Sequence, residues 1–414
     1  MGSSVPASVE EQLAVLCRGV VDLYVKEELA ERLSTGKPLR VKAGFDPTRP
    51  DLHIGHTVVM SKMRQFQDFG HEVVFIIGDF TARLGDPTGK NEARPRLSED
   101  EVKEAAKTYA EQAFKVLDRE QTTIRYNSEW LHALSPSDVV ELGAKYTVAR
   151  MLERDDFAKR YAAQRPIHVH EFMYPLFQAY DSVALECDIE LGGTDQLFNL
   201  MLGRDIMPRY GKRPQLVMTT PLLEGTDAKL VDGKVVGPKM SKSNDNYVGI
   251  DEPPATMLQK LMLVDDTMLW RYAELLSSRS TDDIAAWKRR VESGEQSIID
   301  AKEAFAQEII TRFHDETAAT DALARRRRIQ RGDAPEDVRE VVVKAEGGEV
   351  GLAKALKLAA LTKSTGEGFR LIKQGGVYLD GDRVTDEKVM LRVGDRPLVR
   401  LGSKNRRFAY LRIQ

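Results

Sequence analysis

The sequence has few cysteines and no long apolar run. Cys17 and Cys187 are its two cysteines and do not form a CxxC pair, so neither a disulfide framework nor a cysteine-rich zinc site is predicted. No stretch approaches the roughly 18 consecutive apolar residues of a membrane-spanning helix. The first ten residues also lack the basic and apolar regions of a signal peptide. We therefore expect a cytoplasmic protein without a membrane segment.

Charge is unevenly distributed along the chain. The formal net charge is −3, but residues 351–414 hold 14 Lys/Arg and 6 Asp/Glu, a net of +8, and residues 1–350 carry −11. A basic carboxy-terminal segment favours a polyanionic partner. A length of 414 residues with 42% hydrophobic and 30% charged residues predicts two or three globular domains.

Strand-like and helix-like segments alternate in the first 250 residues. The strand-like runs are residues 41–45, 73–77, 122–126 and 216–219. This alternation predicts a parallel sheet covered by helices on both faces. Residues 136–164 read as helices joined by short turns. Their apolar face fits either a core or a subunit interface; it comprises Val139, Val140, Leu142, Val148, Met151 and Leu152.

The remainder of the chain changes character twice. After Pro253-Pro254 the pattern is helical to about Ile329, and Arg325–Arg328 are either a solvated helix face or a contact for RNA phosphates. A break at Glu346-Gly347-Gly348-Glu349 is the predicted linker. Beyond it, apolar spacing predicts two short helices, and Asp380-Gly381 predicts a hairpin.

A pair of histidines lies where the first predicted strand gives way to a helix. His53-Ile54-Gly55-His56 follows the turn at Asp46 to Thr48 and precedes a helix-like stretch. Backbone N–H groups and the helix dipole favour an anion at such a terminus. Two imidazoles can donate hydrogen bonds to phosphate oxygens, and Gly55 leaves room for a ligand near the backbone.

A second motif, Lys239-Met240-Ser241-Lys242-Ser243, places two ammonium groups three residues apart in a loop. Such a loop can close on a triphosphate and stabilise the charge of a leaving group. Each motif alone is weak, but both together resemble the two signatures of class I aminoacyl-tRNA synthetases. The resemblance implies activation of an amino acid with ATP and its transfer to a tRNA.

A third group of residues concerns the amino acid. Tyr174, Gln178 and Asp181 are spaced by four and three, so they share one face of a helix, which is either an exposed polar stripe or a buried polar pocket. Gly193 and Asp195 follow an apparent strand, where they are either a turn with a helix cap or a ribose platform.

These residues narrow the resemblance to the bacterial branch of the tyrosyl-tRNA synthetase family. It implies that Tyr174, Gln178 and Asp86 hold the substrate ammonium, and that Asp181 accepts from the tyrosine hydroxyl. It assigns Gln196 to the carboxylate region and Asp46 to the α-phosphate. The implied ATP and pyrophosphate contacts are Thr48, His53, Gly55, His56, Lys90, Arg94, Gly193, Asp195, Lys239, Lys242 and Ser243. Of these, Thr48, His53, His56, Lys239 and Lys242 are the expected catalytic residues.

One position departs from the family pattern. A tyrosine on the first strand is the second partner of the substrate hydroxyl in the best-known branch, and the corresponding residue here is Lys42. A lysine donates only. Lys42 could pair with Asp181, donate to the phenolic oxygen, or point away from the site.

The resemblance also implies the overall organisation. We expect an α/β, Rossmann-like catalytic domain over residues 1–250 with a dimerisation insertion at about 135–170, an α-helical domain over 251–345, and a small α+β RNA-binding domain (S4-like) over 346–414. The expected partners are tRNA(Tyr), L-tyrosine and a second copy of the chain in a homodimer. ATP would act as a substrate with Mg²⁺, and no tightly bound cofactor or metal site is predicted.

Three other functions would use part of this pattern. A tryptophanyl-tRNA synthetase would lack the basic carboxy-terminal domain and the helix face with Asp181. A non-catalytic RNA-binding relative would have no physical reason to retain His53, His56 and the lysine loop. A cytidylyltransferase would share the histidine motif alone.

Overall fold

A computed structural model describes residues 7–48, 51–87, 98–331, 338–345, 347–402 and 407–414. The chain forms two compact units, Met1–Ala319 and Thr320–Gln414. Within the described ranges, no helix is both long and apolar enough to cross a membrane. The predicted domain boundaries at 250 and 345 remain predictions.

The first unit contains a mostly parallel sheet with helices around it. The strands of this sheet are β1 Asp22–Tyr24, β2 Arg40–Phe45, β3 Glu72–Ile77, β4 Thr122–Tyr126, β5 Ile189–Gly193 and β6 Leu216–Thr220. Two further strands of this unit, β7 Lys229–Val231 and β8 Lys234–Val236, pair with each other in a separate two-stranded sheet. The first helices of the unit are α1 Val9–Leu16, α2 Lys26–Ser34, α3 His56–Asp68, α4 Thr81–Leu84, α5 Glu99–Ala113 and α6 Ser128–Leu131. They are followed by α7 Pro136–Ala144, α8 Val148–Met151, α9 Asp155–Ala162, α10 Val169–Leu185 and α11 Leu197–Ile206.

The strand order in this sheet is β1-β6-β5-β2-β3-β4. The four predicted strands are confirmed, and β2 pairs in parallel with β3 over six residues. The antiparallel edge strand β1 was not predicted, because three residues are too few to show the alternation of apolar and polar side chains that marks a strand. Going along the chain, the sheet grows outward from β2 to β4 and then in the opposite direction through β5 and β6. The point of reversal lies between β2 and β5, where open α/β sheets bind their ligands.

Helix α3 shows how this sheet is covered. Met60, Met63 and Phe66 recur at helical spacing and are fully buried, so this face of α3 packs against the sheet. No side chain caps its amino terminus at Gly55. The helix is followed by Gly70, whose φ of +81° suits glycine.

The predicted helices of residues 136–164 are confirmed as α7, α8 and α9. Ser135 and Asp138 form a capping box at the start of α7, and Thr147 caps α8. The apolar face divides between two environments. Leu142 and Met151 are buried in the core, whereas Val140 and Val148 are 72% and 62% exposed.

The predicted helical run after Pro253 is also confirmed. It consists of α12 Pro254–Leu263, α13 Leu269–Leu276, α14 Thr281–Glu292, α15 Ile298–Phe313 and α16 Glu316–Arg331. Short 3₁₀ helices occur at Thr194–Gln196, Met207–Tyr210, Lys242–Asn244 and Asp266–Met268. Arg325–Arg328 lie within α16, so the prediction that they belong to a helix is confirmed. Their contact with RNA phosphates stays a prediction.

The second unit has a small core of its own. Its elements are β9 Glu340–Val343, β10 Glu349–Gly351, α17 Leu352–Leu358, α18 Thr365–Lys373, β11 Val377–Leu379, β12 Asp382–Val384, β13 Met390–Arg392, β14 Leu398–Leu401 and β15 Arg407–Ile413. The two helices and the β11–β12 hairpin confirm the prediction. Asp380 and Gly381 at the hairpin turn have φ values of +49° and +98°, as a type I′ turn requires.

Candidate active site

A cavity of about 730 Å³ lies at the carboxyl ends of the parallel strands. The residues Ala43 to Asp46 from β2 and its loop line one side, and Leu191 to Gly193 from β5 line another. β2 and β5 are paired only at Val41 with Ile189 and at Lys42 with Glu190. Beyond these two pairs the strands separate, and the cavity occupies the space between them.

Most of the predicted site residues meet in this cavity. Those lining it are Asp46, Thr48, His53, Gly55, His56, Asp86, Tyr174, Gln178, Asp181, Gly193, Asp195, Gln196, Lys239, Lys242 and Ser243. Lys42 is not among the lining residues. Lys90 and Arg94 fall outside the described residues. The described residues contain no cluster of three or more His, Cys, Asp or Glu able to hold a metal ion.

The rings of the two histidines lie against each other at the start of α3, tilted by 32°. Their ring centroids are 3.8 Å apart, and the backbone N–H of His53 donates to Nδ1 of His56 at 3.1 Å. Burial, reinforced by the nearby Lys242 ammonium, lowers the pKa of His56 to about 3 and holds the pKa of His53 well below its ordinary value. Both rings are therefore neutral. Since Nδ1 of His56 accepts, its proton resides on Nε2, which can donate to a ligand.

His53 has an unsatisfied polar atom. In the described part of the chain its Nδ1 is buried without a hydrogen-bond partner, which is unusual for a buried polar group. A Cβ on Gly55 would lie 3.0 Å from Nδ1 and Cε1 of His53. Gly55 thus makes room for the His53 ring, in addition to the space for a ligand that the sequence suggested.

The lysine loop is anchored at two residues within its motif, Met240 and Ser241. Met240 is buried, and its N–H donates to the Leu223 carbonyl at 2.8 Å. The N–H of Ser241 donates to the side chain of Asn246 at 2.8 Å. The Lys239 ammonium reaches across to Asp195 at 2.5 Å. Lys239 is therefore paired with a residue of the predicted ribose platform, and a ribose bound there would have to compete with this ion pair.

Asp46, which also lines the cavity, links two elements. Its carboxylate accepts from the Tyr174 hydroxyl of α10 and from Thr81 of α4, each at 2.8 Å. A Cβ on Gly78 would lie 2.1 Å from Asp46 Oδ1, so the carboxylate rests directly on the backbone of β3's loop. Asp46 is consequently held in one orientation by residues from three segments.

Asp181 lies buried at the far end of the α10 face. It accepts from Trp130 Nε1 at 2.8 Å and from Asn127 Nδ2 at 3.4 Å. Burial, only partly offset by the charge of Lys42, raises the pKa of Asp181 to about 7. A buried carboxylate with two donors already in place is a specific acceptor for one further hydroxyl.

Asn127 and Trp130 were not predicted from the sequence. Asn127 follows strand β4 directly, in the way that Asp46 follows β2, and Trp130 lies three residues further on, in helix α6. Because parallel strands bring their carboxyl ends to one edge, polar residues in the loop after the 122–126 run were candidates for the site by the same argument.

A chain of polar side chains lies beside the cavity, between Asp86 and Glu190. Gln196 donates to Asp86 at 2.9 Å, and Asn199 donates to Gln196 at 2.9 Å and to Gln178 at 3.1 Å. Gln178 in turn donates to Glu190 at 3.1 Å. Gln178 of the predicted ammonium group is thereby connected to Asp86 through two other amides.

Lys42 belongs to this chain and not to the hydroxyl site. Its ammonium contacts Glu190 at 2.7 Å, and both side chains are 1% exposed. Burial lowers the pKa of Lys42, but the hydrogen bond to Glu190 and the charges of Glu190, Cys187 and Asp181 together outweigh it, so the pKa of Lys42 lies above its ordinary value. Of the three arrangements left open by the sequence, the structure has Lys42 pointing away from the cavity, with Glu190 as a partner that the sequence did not suggest.

Comparisons with known proteins decide the family. The model of class I tRNA synthetases (W and Y) matches residues 34–329, and the S4 domain model matches residues 350–397. The tyrosine–tRNA ligase of Nitrosomonas europaea is 51% identical over 92% of this chain and 91% of its own length. That of Thiobacillus denitrificans is 50% identical over 96% of this chain and 98% of its own. The chain belongs to the tyrosine–tRNA ligase family.

Solved structures agree on the fold of this tyrosine–tRNA ligase family member. The structure of the tyrosyl-tRNA synthetase of Archaeoglobus fulgidus, complexed with L-tyrosine, is similar to this one with a TM-score of 0.61 and 23% sequence identity. The aligned region covers 77% of this chain and 100% of the Archaeoglobus chain. A truncated mitochondrial tyrosyl-tRNA synthetase of Aspergillus nidulans covers 78% of this chain and 94% of its own, with a TM-score of 0.63 and 21% identity. At these identities the likeness concerns the fold alone.

The raised pKa of Asp181 predicts a cost in stability. The pKa is about 7 in the folded protein and near 4 when unfolded. The folded state therefore holds the proton more tightly, and stability falls as pH rises from about 4 to about 7. Asp181→Asn removes this titration, so its free energy of unfolding should exceed that of the unmodified chain by about 1–4 kcal/mol at pH 8, with the difference shrinking toward pH 4.

Denaturant unfolding followed by tryptophan fluorescence at pH 5 and pH 8 measures this difference, since all three tryptophans lie in the first unit. Asp138→Asn is the control. Hydrogen bonds from Ser135 lower the pKa of the exposed Asp138, so that variant should lose stability at pH 8. A gain for Asp181→Asn that is equal at both pH values would contradict the prediction.

Proposed function

We propose that the cavity at the carboxyl ends of β2 and β5 is where this family member activates L-tyrosine with ATP, before transfer of the tyrosyl group to the 3′ end of tRNA(Tyr). One observation carries the proposal. A buried carboxylate, Asp181, and the phosphate-type donors of the two motifs line the same 730 Å³ cavity. The carboxylate suits the hydroxyl of a phenol, and the donors of the histidine and lysine motifs suit a triphosphate, so one site can hold both substrates.

In this proposal, tyrosine lies along helix α10. Its hydroxyl donates to Asp181, beside Trp130 and Asn127, and its ammonium faces Tyr174, Gln178 and Asp86. The tyrosine carboxylate attacks the α-phosphorus of ATP, the bond to the bridging oxygen breaks, and pyrophosphate leaves. The carboxylate is already ionised, so no general base is needed. Catalysis consists of positioning and charge stabilisation.

The phosphates of ATP face the two motifs. Nε2–H of His56 and the ammonium groups of Lys239 and Lys242 are suitable donors for phosphate oxygens, and Asp195 can accept from the ribose once Lys239 has moved to the phosphates. ATP enters as its magnesium complex, as the family resemblance implies. The neutral histidines donate without adding charge, which leaves charge neutralisation to the lysines.

The other substrate is tRNA, and the basic S4 domain is the proposed contact. Five basic residues on and beside α17 and α18 are exposed: Lys354, Lys357, Lys363, Arg370 and Lys373.

We further propose a homodimer formed through the insertion, where Val140, Val148 and Tyr161 remain exposed. The cytoplasm is the proposed location, since tRNA is charged where proteins are synthesised.

Pyrophosphate exchange into ATP tests the amino acid directly. With the full chain, exchange should depend on tyrosine, because Asp181 and its donors are satisfied only by a hydroxyl in this position. Tryptophan and phenylalanine should support little exchange at equal concentration. Exchange with tryptophan but not tyrosine would indicate the alternative synthetase, and no exchange with any amino acid would indicate a non-catalytic RNA-binding protein.

The lysine loop should act on the departing phosphates more than on tyrosine. Lys239→Ala and Lys242→Ala are each expected to lower the rate of adenylate formation on the order of 100-fold, the range for loss of one charge-stabilising donor, with tyrosine affinity within about threefold. Lys234→Ala, on the exposed strand β8, is the matched control and should have little effect. Equal losses in rate and in tyrosine affinity would refute this role.

The basic second unit should act on tRNA alone. Arg370→Ala combined with Lys373→Ala removes two exposed charges from the last turn of α18. Charging of tRNA should weaken, and the slope of log affinity against log salt should become shallower by about one unit per lost phosphate contact. Pyrophosphate exchange, measured on the same protein, should be unchanged. Unaltered charging and salt dependence would count against a tRNA contact here.

A further inference from the structure

The polar chain beside the cavity contains three side-chain amides in succession, those of Gln178, Asn199 and Gln196. An amide can present either its oxygen or its nitrogen to a neighbour, so a chain of amides has two self-consistent orientations. The difference matters for the proposed ammonium site, because an ammonium donates only and needs the oxygen of Gln178. Something outside the three amides must select the orientation.

Charged residues at three points of the chain make this selection. Glu190 and Asp86 are carboxylates and only accept, so Gln178 and Gln196 must turn their NH₂ groups toward them. Arg154 only donates, and its Nη1 reaches Asn199 Oδ1 at 3.1 Å. Asn199 therefore turns its NH₂ toward the two glutamines, where it donates to both oxygens.

Lys42 keeps one end of this arrangement in its acceptor form. Glu190 is buried at the floor of the crevice, in direct register with Lys42 across the last pair of β2 and β5. The Lys42 ammonium lies 2.7 Å from Oε1 of Glu190, the same oxygen that accepts from Gln178, and Ser182 donates to Oε2 at 3.3 Å. With Lys42 and Ser182 fixing its two oxygens, the Glu190 carboxylate faces Gln178 as an acceptor.

We propose that Lys42, Glu190 and Arg154 are positioning residues for the amino acid, which fix the three amides so that Gln178 presents its oxygen to the substrate ammonium. This inference rests on the proposed function. It gives Lys42 a role in amino acid binding without contact to the substrate. The role concerns the ammonium end of tyrosine and not the hydroxyl end.

The test compares two ligands that differ only in the ammonium group, L-tyrosine and 3-(4-hydroxyphenyl)propanoate. The double variant Lys42→Met with Glu190→Gln removes the ion pair without leaving an unpaired charge. Its glutamine can donate as well as accept, so the orientation of Gln178 is no longer fixed. Tyrosine affinity, measured by calorimetry on the full chain, should fall on the order of 10- to 100-fold, as for a lost hydrogen bond to a charged group. Affinity for the propanoate should change by less than about threefold.

A matched control separates this effect from general damage to the core. Arg160 and Glu171 form another buried ion pair, with both side chains 3% exposed. Arg160→Met with Glu171→Gln should leave the ratio of the two affinities unchanged. Asn199→Asp is a second, nearly isosteric variant. Its carboxylate cannot donate to Gln178 or Gln196, so it should also lower the affinity for tyrosine selectively.

The outcomes distinguish this inference from the proposed function. If the unmodified chain shows no tyrosine binding and no tyrosine-dependent exchange, the proposed function fails. If the unmodified chain binds tyrosine but Lys42→Met with Glu190→Gln loses affinity for both ligands equally, or for neither, only the positioning role is overturned. Should that variant fail to fold, a normal ratio of affinities in Asn199→Asp overturns it instead.

Discussion

The brief pairing of β2 with β5 is the constraint on which the site depends. These strands share two residue pairs and then separate, whereas β2 and β3 continue together for six. The separation opens the crevice, and the loops that follow both strands line it. The histidine motif follows β2 along the chain and the predicted ribose platform ends β5, so their proximity follows from this one junction although about 140 residues separate them.

Burying charged side chains at this junction lowers the stability of the fold, yet the protein has several of them there. An ion pair as enclosed as Lys42 with Glu190 gains little net stability over an apolar pair of similar volume. The buried carboxyl group of Asp181 has only amide and indole donors as direct partners among the hydrogen bonds described above. Neither feature is explained by folding alone. Both are explained if the crevice must present fixed acceptors to a ligand, since sites built for binding commonly reduce stability.

Much of this architecture could be predicted from local pattern. The strands β2, β3, β4 and β6 and the shared face of α10 were predicted because apolar period and helical spacing are properties of short segments. The edge strand β1 could not be, because three residues are too few to show an alternating pattern. The pairing of Lys42 with Glu190 could not be either, because partners 148 residues apart leave no local signal. Trp130 and Asn127 are an intermediate case, since their position after a predicted strand was visible but their contact with Asp181 was not.

The two substrates are held by elements of different rigidity. Tyr174, Gln178 and Asp181 project from one helix over seven residues, a rise of about 10 Å, so the distance between the two ends of the amino acid site is set by helix geometry. The lysine motif instead lies in a loop whose Lys239 is paired with Asp195 across the cavity. A rigid element suits discrimination between amino acids of similar size, because a ligand without the hydroxyl leaves Asp181 unsatisfied and the helix cannot shorten to compensate. A loop suits phosphates, which must be held during attack and then released.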